Sequence, residues 1–185
     1  MSRNHRNRTG SIPIAPIAMT AVMLTAFFAV ASAAWSEDVA RGQQIWRDKA
    51  DCSYCHGWAG DGGAGTAGFH HEGNPPSLRK TQLTRDEIRM TIQCGRPGTA
   101  MPHFDRFAYT EKRCYGGVTA AQLGNNMPQR GDTTLQPDEI DAVADYVVAK
   151  IKGAGPVTKA ECLAYFGPGV QRCDSFPNTK SASSH

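Results

Sequence analysis

Apolar residues recur at helical spacing in three long stretches of the chain, and no stretch reads as a strand run. The first extends from Ser36 to about Ala50, with Val39, Gly42, Ile45 and Trp46 on one face. Ser36 suits the N-cap, and Glu37 and Asp38 fall in the first turn, where the helix dipole favours negative charge. Gly42 inside a helix costs stability relative to alanine, so it predicts close backbone approach by a neighbour. The second stretch opens on Thr84 and Glu87, a T-x-x-E capping box that Leu83 and Ile88 can staple. It continues through Ile92 and stops at Gly95. The third runs from Pro137 to about Lys152, with Ile140, Val143, Ala144, Val147, Val148 and Ile151 in one apolar stripe and Tyr146 beside it. Gly153 ends it. A small helix follows, capped by Thr158 and Glu161, with Cys162, Tyr165 and Phe166 facing inward. These patterns predict an all-α fold.

The intervening segments carry less regular pattern. Seven glycines between Gly57 and Gly73 make residues 57–74 a loop, which also holds His70 and His71. Pro75-Pro76-Ser77-Leu78 then reads as extended, donor-poor chain. Residues 104–134 are long for a structureless segment, with Phe104, Phe107, Tyr109, Tyr115 and Cys114, and one helical turn expected near Thr119 to Leu123. Loops of this length tend to be functional or stapled, and the aromatic content makes this one a candidate docking surface. From Asp174 to His185 the tail is polar, and disorder is expected.

The N-terminus changes the picture of charge and compartment. Arg3, Arg6 and Arg8 precede an apolar run from about Ile12 to Ala34 that ends in small residues, the pattern of a secretory signal peptide over 1–34. An uncleaved membrane anchor is the alternative, against which Pro13, Pro16, Thr20 and Thr25 count. The chain has 20 Lys and Arg against 17 Asp and Glu, so loss of those three arginines leaves the mature protein even in charge. The basic balance is therefore no ground for nucleic-acid or anionic-membrane binding. Export also suits six cysteines. Apart from Cys52 and Cys55, four remain, and four allow three pairings. Cys94–Cys114 with Cys162–Cys173 is the expected set, because the second pair brackets a short tail. A domain over 35–153 followed by an extension over 154–185 is the resulting organisation.

Candidate chemistry concentrates at Cys52-Ser53-Tyr54-Cys55-His56, the C-x-x-C-H signature of covalent haem attachment. Two thiols can add across the two vinyl groups of haem and hold it through thioethers. The histidine that follows is delivered to one face of the iron. A structural zinc site would need a second closely spaced pair, and a thioredoxin-like pair would need a βαβ setting; neither is present. The four remaining cysteines have no histidine after them, so one covalent haem is expected. For the opposite face two thioethers compete, Met101 and Met127, each followed by proline and set in a loop, while His70 and His71 are weaker candidates.

Taken together, the helix leading into C-x-x-C-H, the Pro-x-Leu segment, Gly95-Arg96-Pro97-Gly98-Thr99-Ala100-Met101-Pro102 and the helix opening Gln136-Pro137-Asp138-Glu139-Ile140 resemble a class I, monohaem His/Met cytochrome c. The resemblance covers about Ser36 to Lys152 and implies first and last helices crossing around one covalent haem c. It implies that they cross at Gly42 or Trp46 against Tyr146. It implies that Pro76 offers its carbonyl to His56, and that Met101 is the axial methionine, since the helix-Gly-loop-Met-Pro unit is intact only there. The segment after Met101 is longer than the family pattern, and by spacing to the last helix Met127 fits better. The function implied is single-electron transfer by a periplasmic monomer rather than catalysis. Its expected partners are a dehydrogenase donor, such as a quinoprotein alcohol dehydrogenase, and a cytochrome or terminal-oxidase acceptor. Two alternatives stand beside it: a haem enzyme or sensor with a displaceable sixth ligand, and a fixed subunit of a larger complex.

Overall fold

The computed structural model describes residue 35 and residues 37–63 and 75–179. The expected signal peptide, the Ser36 cap and the loop histidines His70 and His71 lie outside the described residues. A compact unit begins at Ser36. Among the described residues it is helical and has no strand, only an isolated bridge between His103 and Arg130. No helix among them is long and apolar enough to cross a membrane.

Helix α1 covers residues 37–44 and passes into a π-helical turn, Ile45–Lys49. Helix α2 is the short Cys52–His56 segment. Helix α3 is Arg85–Cys94, with the expected capping box: Glu87 N–H donates to Thr84 Oγ1 at 3.3 Å and Thr84 N–H to Glu87 Oε2 at 2.7 Å. Helix α4 is one turn, Ala120–Leu123, capped by Thr119. Helix α5, Pro137–Tyr146, also ends in a π-helical turn, Val147–Ile151. Helix α6 is Lys159–Phe166, again capped as expected by Thr158 and Glu161.

The main core joins α1, α3 and α5 through Val39, Ile45, Trp46, Ile88, Ile92, Ile140, Val143 and Val147. The crossing of α1 on α5 is set by Gly42. A Cβ there would lie 2.0 Å from the Ala142 carbonyl oxygen and 2.8 Å from Tyr146 Cβ. With no side chain in the way, the backbones meet, and the Trp46 and Tyr146 rings come to 5.9 Å. Both residues expected at the crossing are therefore used. Across α3 and α5, Arg85 grips Asp145 with two bonds, of 2.7 and 3.0 Å, and Arg89 reaches Asp141 at 2.9 Å.

The long segment after Met101 is stapled as expected by Cys94–Cys114. It covers the C-terminal end of α3, whose last carbonyls would otherwise lack partners. The Tyr109 hydroxyl donates to the Cys94 carbonyl at 2.6 Å, and the Tyr115 hydroxyl donates to that of Gly95. Phe104 and Tyr109 are buried. Of the aromatics that made this segment a candidate docking surface, Phe104 and Tyr109 serve as internal packing, whereas Phe107 is half-buried and Tyr115 exposed.

The C-terminal region departs from expectation. The second disulfide, Cys162–Cys173, forms as expected. The tail does not loosen at Asp174, however: Gln171–Ser175 is a 3-10 helix. Phe176 packs its ring 5.7 Å from Trp58, beside Phe166 at 5.3 Å and Tyr165 at 5.4 Å. Burial of these rings opposes the entropy gain of a free tail, which polar composition alone had favoured. The segment is thus neither self-contained nor loose up to that point.

Gly42→Ala should lower stability by about 3 kcal/mol, because the added methyl overlaps the Ala142 carbonyl and forces the helices apart. Equilibrium denaturant unfolding of the two proteins measures it.

Candidate functional site

The C-x-x-C-H motif is placed by a sharp change of backbone. The π-helical turn of α1 closes when Ala50 N–H donates to Ile45 O at 2.9 Å, and Asp51 then adopts a left-handed conformation at φ 44°. This reverses the chain and starts α2 beside Trp46. Cys52 is half-buried and packs on the main core, whereas Cys55 is exposed. Both are free thiols, although all four other cysteines are paired in disulfides. Loss of hydration pushes the Cys52 thiol up to about 12 and raises that of Cys55 as well.

His56 ends α2 with its ring 5.8 Å from that of Trp46. Its Nδ1 is buried and makes no hydrogen bond, and the same holds for Trp46 Nε1. Desolvation lowers the imidazole to about 4, so it is neutral at physiological pH, the form that can donate a lone pair to a metal. Buried polar atoms without partners are costly, and natural structures rarely leave them so unless a further group is to be met there. Two free cysteines and a neutral histidine are the donor set that covalent haem requires, so the residues present fit that group.

After His56 the chain forms a tight turn over residues 57–62. Gly62 N–H donates back to His56 O at 3.0 Å, and Gly60 N–H to Gly57 O at 3.0 Å. The Pro75–Leu78 segment lies on this turn. Leu78 N–H donates to Gly60 O at 2.8 Å, and a Cβ on Gly62 would sit 2.6 Å from Pro75 O and 3.5 Å from the Pro76 carbonyl carbon. Pro76 is thus beside the turn that follows His56, but the expected hydrogen bond from Nδ1 to its carbonyl is not made. The aromatic neighbour of the imidazole is the Trp46 ring.

The two candidate methionines go to different places. Met101 packs on the main core, the same one that receives Cys52. Its loop is tied at both ends: Arg96 N–H donates to Met101 O at 3.1 Å, and Met101 N–H to Thr99 Oγ1 at 3.2 Å. Gly95 permits this, since at φ 65° a Cβ would lie 2.7 Å from Met101 O. Met127 instead packs on the cluster around the Cys94–Cys114 disulfide.

Three residues of the surroundings carry no sequence signal. Trp58 sits next to a glycine-rich loop, and Arg79 follows Pro-x-Leu in a segment with no periodicity. Glu161 reads only as a helix cap. In the fold, Arg79 is buried and its guanidinium joins the Ala59 carbonyl to Glu161.

Compared with known families, residues 37–116 match the model described as cytochrome c oxidase, cbb3-type, subunit III. This segment is a c-type cytochrome domain. The match contains the C-x-x-C-H motif, Pro76 and Met101, and ends before Met127. No curated protein and no solved structure matches the chain. A c-type cytochrome domain implies haem c, electron transfer and protein redox partners.

In the chain before haem attachment, alkylation should reach Cys55 faster than Cys52 by about tenfold or more, because only Cys55 is exposed and Cys52 is the more strongly desolvated thiol. Peptide mass mapping over a time course of iodoacetamide treatment measures the ratio.

Proposed function

We propose that this protein is an exported electron carrier that binds one haem covalently through Cys52 and Cys55, with His56 and Met101 as axial ligands. The observation that carries the reading is His56: neutral, with a buried Nδ1 that nothing pairs, directly after two thiols left free in a chain that oxidises its other cysteines. Bound haem supplies a one-electron iron couple.

The chain's own residues supply attachment, ligation and shielding. Cys52 and Cys55 anchor the group, and burial keeps the His56 imidazole unprotonated for ligation. Pro76 is the proposed acceptor for the Nδ1 proton, fixing the tautomer. Met101 is favoured over Met127 because it shares the main core with Cys52 and lies in the matched segment. A thioether opposite histidine raises the reduction potential. Trp46 and the core around it exclude water from the imidazole side.

A periplasmic location is supported by the two disulfides and by the N-terminal sequence pattern. Electrons would pass in brief encounters with small interfaces. The donor is proposed to be a dehydrogenase, such as a quinoprotein alcohol dehydrogenase, and the acceptor another cytochrome or a terminal oxidase. A second reading, a fixed subunit of a larger redox complex, is favoured by the oxidase-subunit description of the matching family. Native mass measurement of the protein isolated from its own membranes and periplasm separates carrier from subunit.

Met101→Ala should abolish the far-red methionine–iron charge-transfer band of the oxidised protein and lower its reduction potential, while Met127→Ala leaves both as in the parent. Absorption spectra and redox titration of the two variants read this, and the opposite pattern would overturn the assignment.

A further inference from the structure

We infer that the C-terminal extension is a positioning element for the His56 side of the site, acting through Glu161 and Arg79. The inference rests on the proposed haem attachment at Cys52–His56.

Arg79 is 7% exposed and uses its whole guanidinium. Nε donates to Gly155 O at 2.5 Å, Nη1 to Ala59 O at 3.1 Å and Nη2 to Pro156 O at 3.3 Å. Nη2 also meets both carboxylate oxygens of Glu161, at 3.0 and 3.1 Å. Three pieces of chain thus converge on one buried charge: the turn after His56, the 3-10 segment Leu78–Lys80, and the extension.

Within the turn at residues 57–62 the main-chain bonds are its own, and Gly60 packs closely on Ile151. Two bonds reach it from elsewhere among the described residues, Leu78 N–H to Gly60 O and Arg79 Nη1 to Ala59 O, and they come from consecutive residues. Arg79 is in turn fixed by the extension through Gly155, Pro156 and Glu161, and just before the extension Gly153 N–H donates to Arg79 O at 3.0 Å. The second grip is apolar. Trp58, two residues beyond His56, is buried among Tyr165, Phe166 and Phe176 of the extension.

Arg79 is buried and Glu161 partly exposed, so removing the carboxylate leaves the guanidinium charge with backbone carbonyls alone, a greater loss than that of a pair exposed on both sides. Without the Glu161 carboxylate, Arg79 has reason to turn to water and release Ala59. The turn would then open locally and admit water to His56 Nδ1, with α3 unaffected, since α3 takes no part in these contacts. Glu161→Gln isolates the charge, because glutamine at the third helical position still serves a capping box.

The test is solvent exchange of the His56 Nδ1 proton in the reduced holoprotein, followed by NMR beside the amides of Ile88 and Ile92 in α3. Haem attachment is first verified in each protein from the spectrum of the denatured haem–pyridine complex. We expect exchange at least tenfold faster in Glu161→Gln, with the α3 amides unchanged. Glu161→Asp, which keeps the charge, should stay near the parent rate. So should Lys159→Ala, which removes an exposed pair within the extension. Trp58→Leu, which empties the aromatic cage, should accelerate the same proton and keeps the inference open to test if Glu161→Gln does not fold. Equal Nδ1 exchange in the parent, Glu161→Gln and Trp58→Leu with haem attached overturns the inference alone. So does acceleration of Nδ1 and α3 amides together. Absence of covalent haem in the parent overturns the proposed function, and this inference with it.

Discussion

The contact on which the rest depends is the bare backbone crossing at Gly42. Helix packing normally keeps axes apart by the thickness of side chains. Here the Ala142 carbonyl occupies the space a methyl group would need. That closeness brings Trp46 against Tyr146, and Trp46 itself lies in the π-helical turn that ends α1 just before the cysteine pair. The histidine ring is then held by the same tryptophan that seals the crossing. Core and site share one side chain, so helix packing and the placement of the C-x-x-C-H motif on α2 are linked through Trp46.

Around this centre the chain adds two stapled segments, and they do different work. The one after Met101 closes over the end of α3 and gives its carbonyls tyrosine hydroxyls as partners. It also separates the two methionines into two cores. The one after Ile151 folds back on the turn that follows His56, with an aromatic cage on one side and a buried guanidinium on the other. Both disulfides lie where a short segment must be kept against a helix end or a ring cluster, which chain entropy would otherwise oppose.

Much of this was legible in the sequence because its signals are local. The capping boxes at Thr84 and Thr158 sit within four residues, so they survive tertiary packing, and the turn expected near Thr119 proves to carry one too. An internal glycine with no turn to make pointed to close approach, and Gly42 has it. The π-helical ends of α1 and α5 were not legible, since five residues, little more than one turn, are too few for an apolar stripe to reveal a change of period. The link from Arg79 to Glu161 was hidden for another reason: an arginine in an aperiodic segment reads as solvated, and only a partner 82 residues away makes it a buried group. The polar tail was misread because composition counts polar residues, whereas Phe176 packing on Trp58 and the Lys159 N–H bond to Pro177 O tie that stretch down.

Glu161 faces two ways. Its Oε2 accepts from the Thr158 amide at 2.9 Å and from Arg79 Nη2 at 3.1 Å, so one oxygen serves both the start of α6 and the clamp on Ala59. The two interactions are therefore not separable increments of free energy but a thermodynamic coupling, in which the penalty for losing either depends on whether the other is in place. The start of α6 and the turn that follows His56 are thus linked through one carboxylate oxygen.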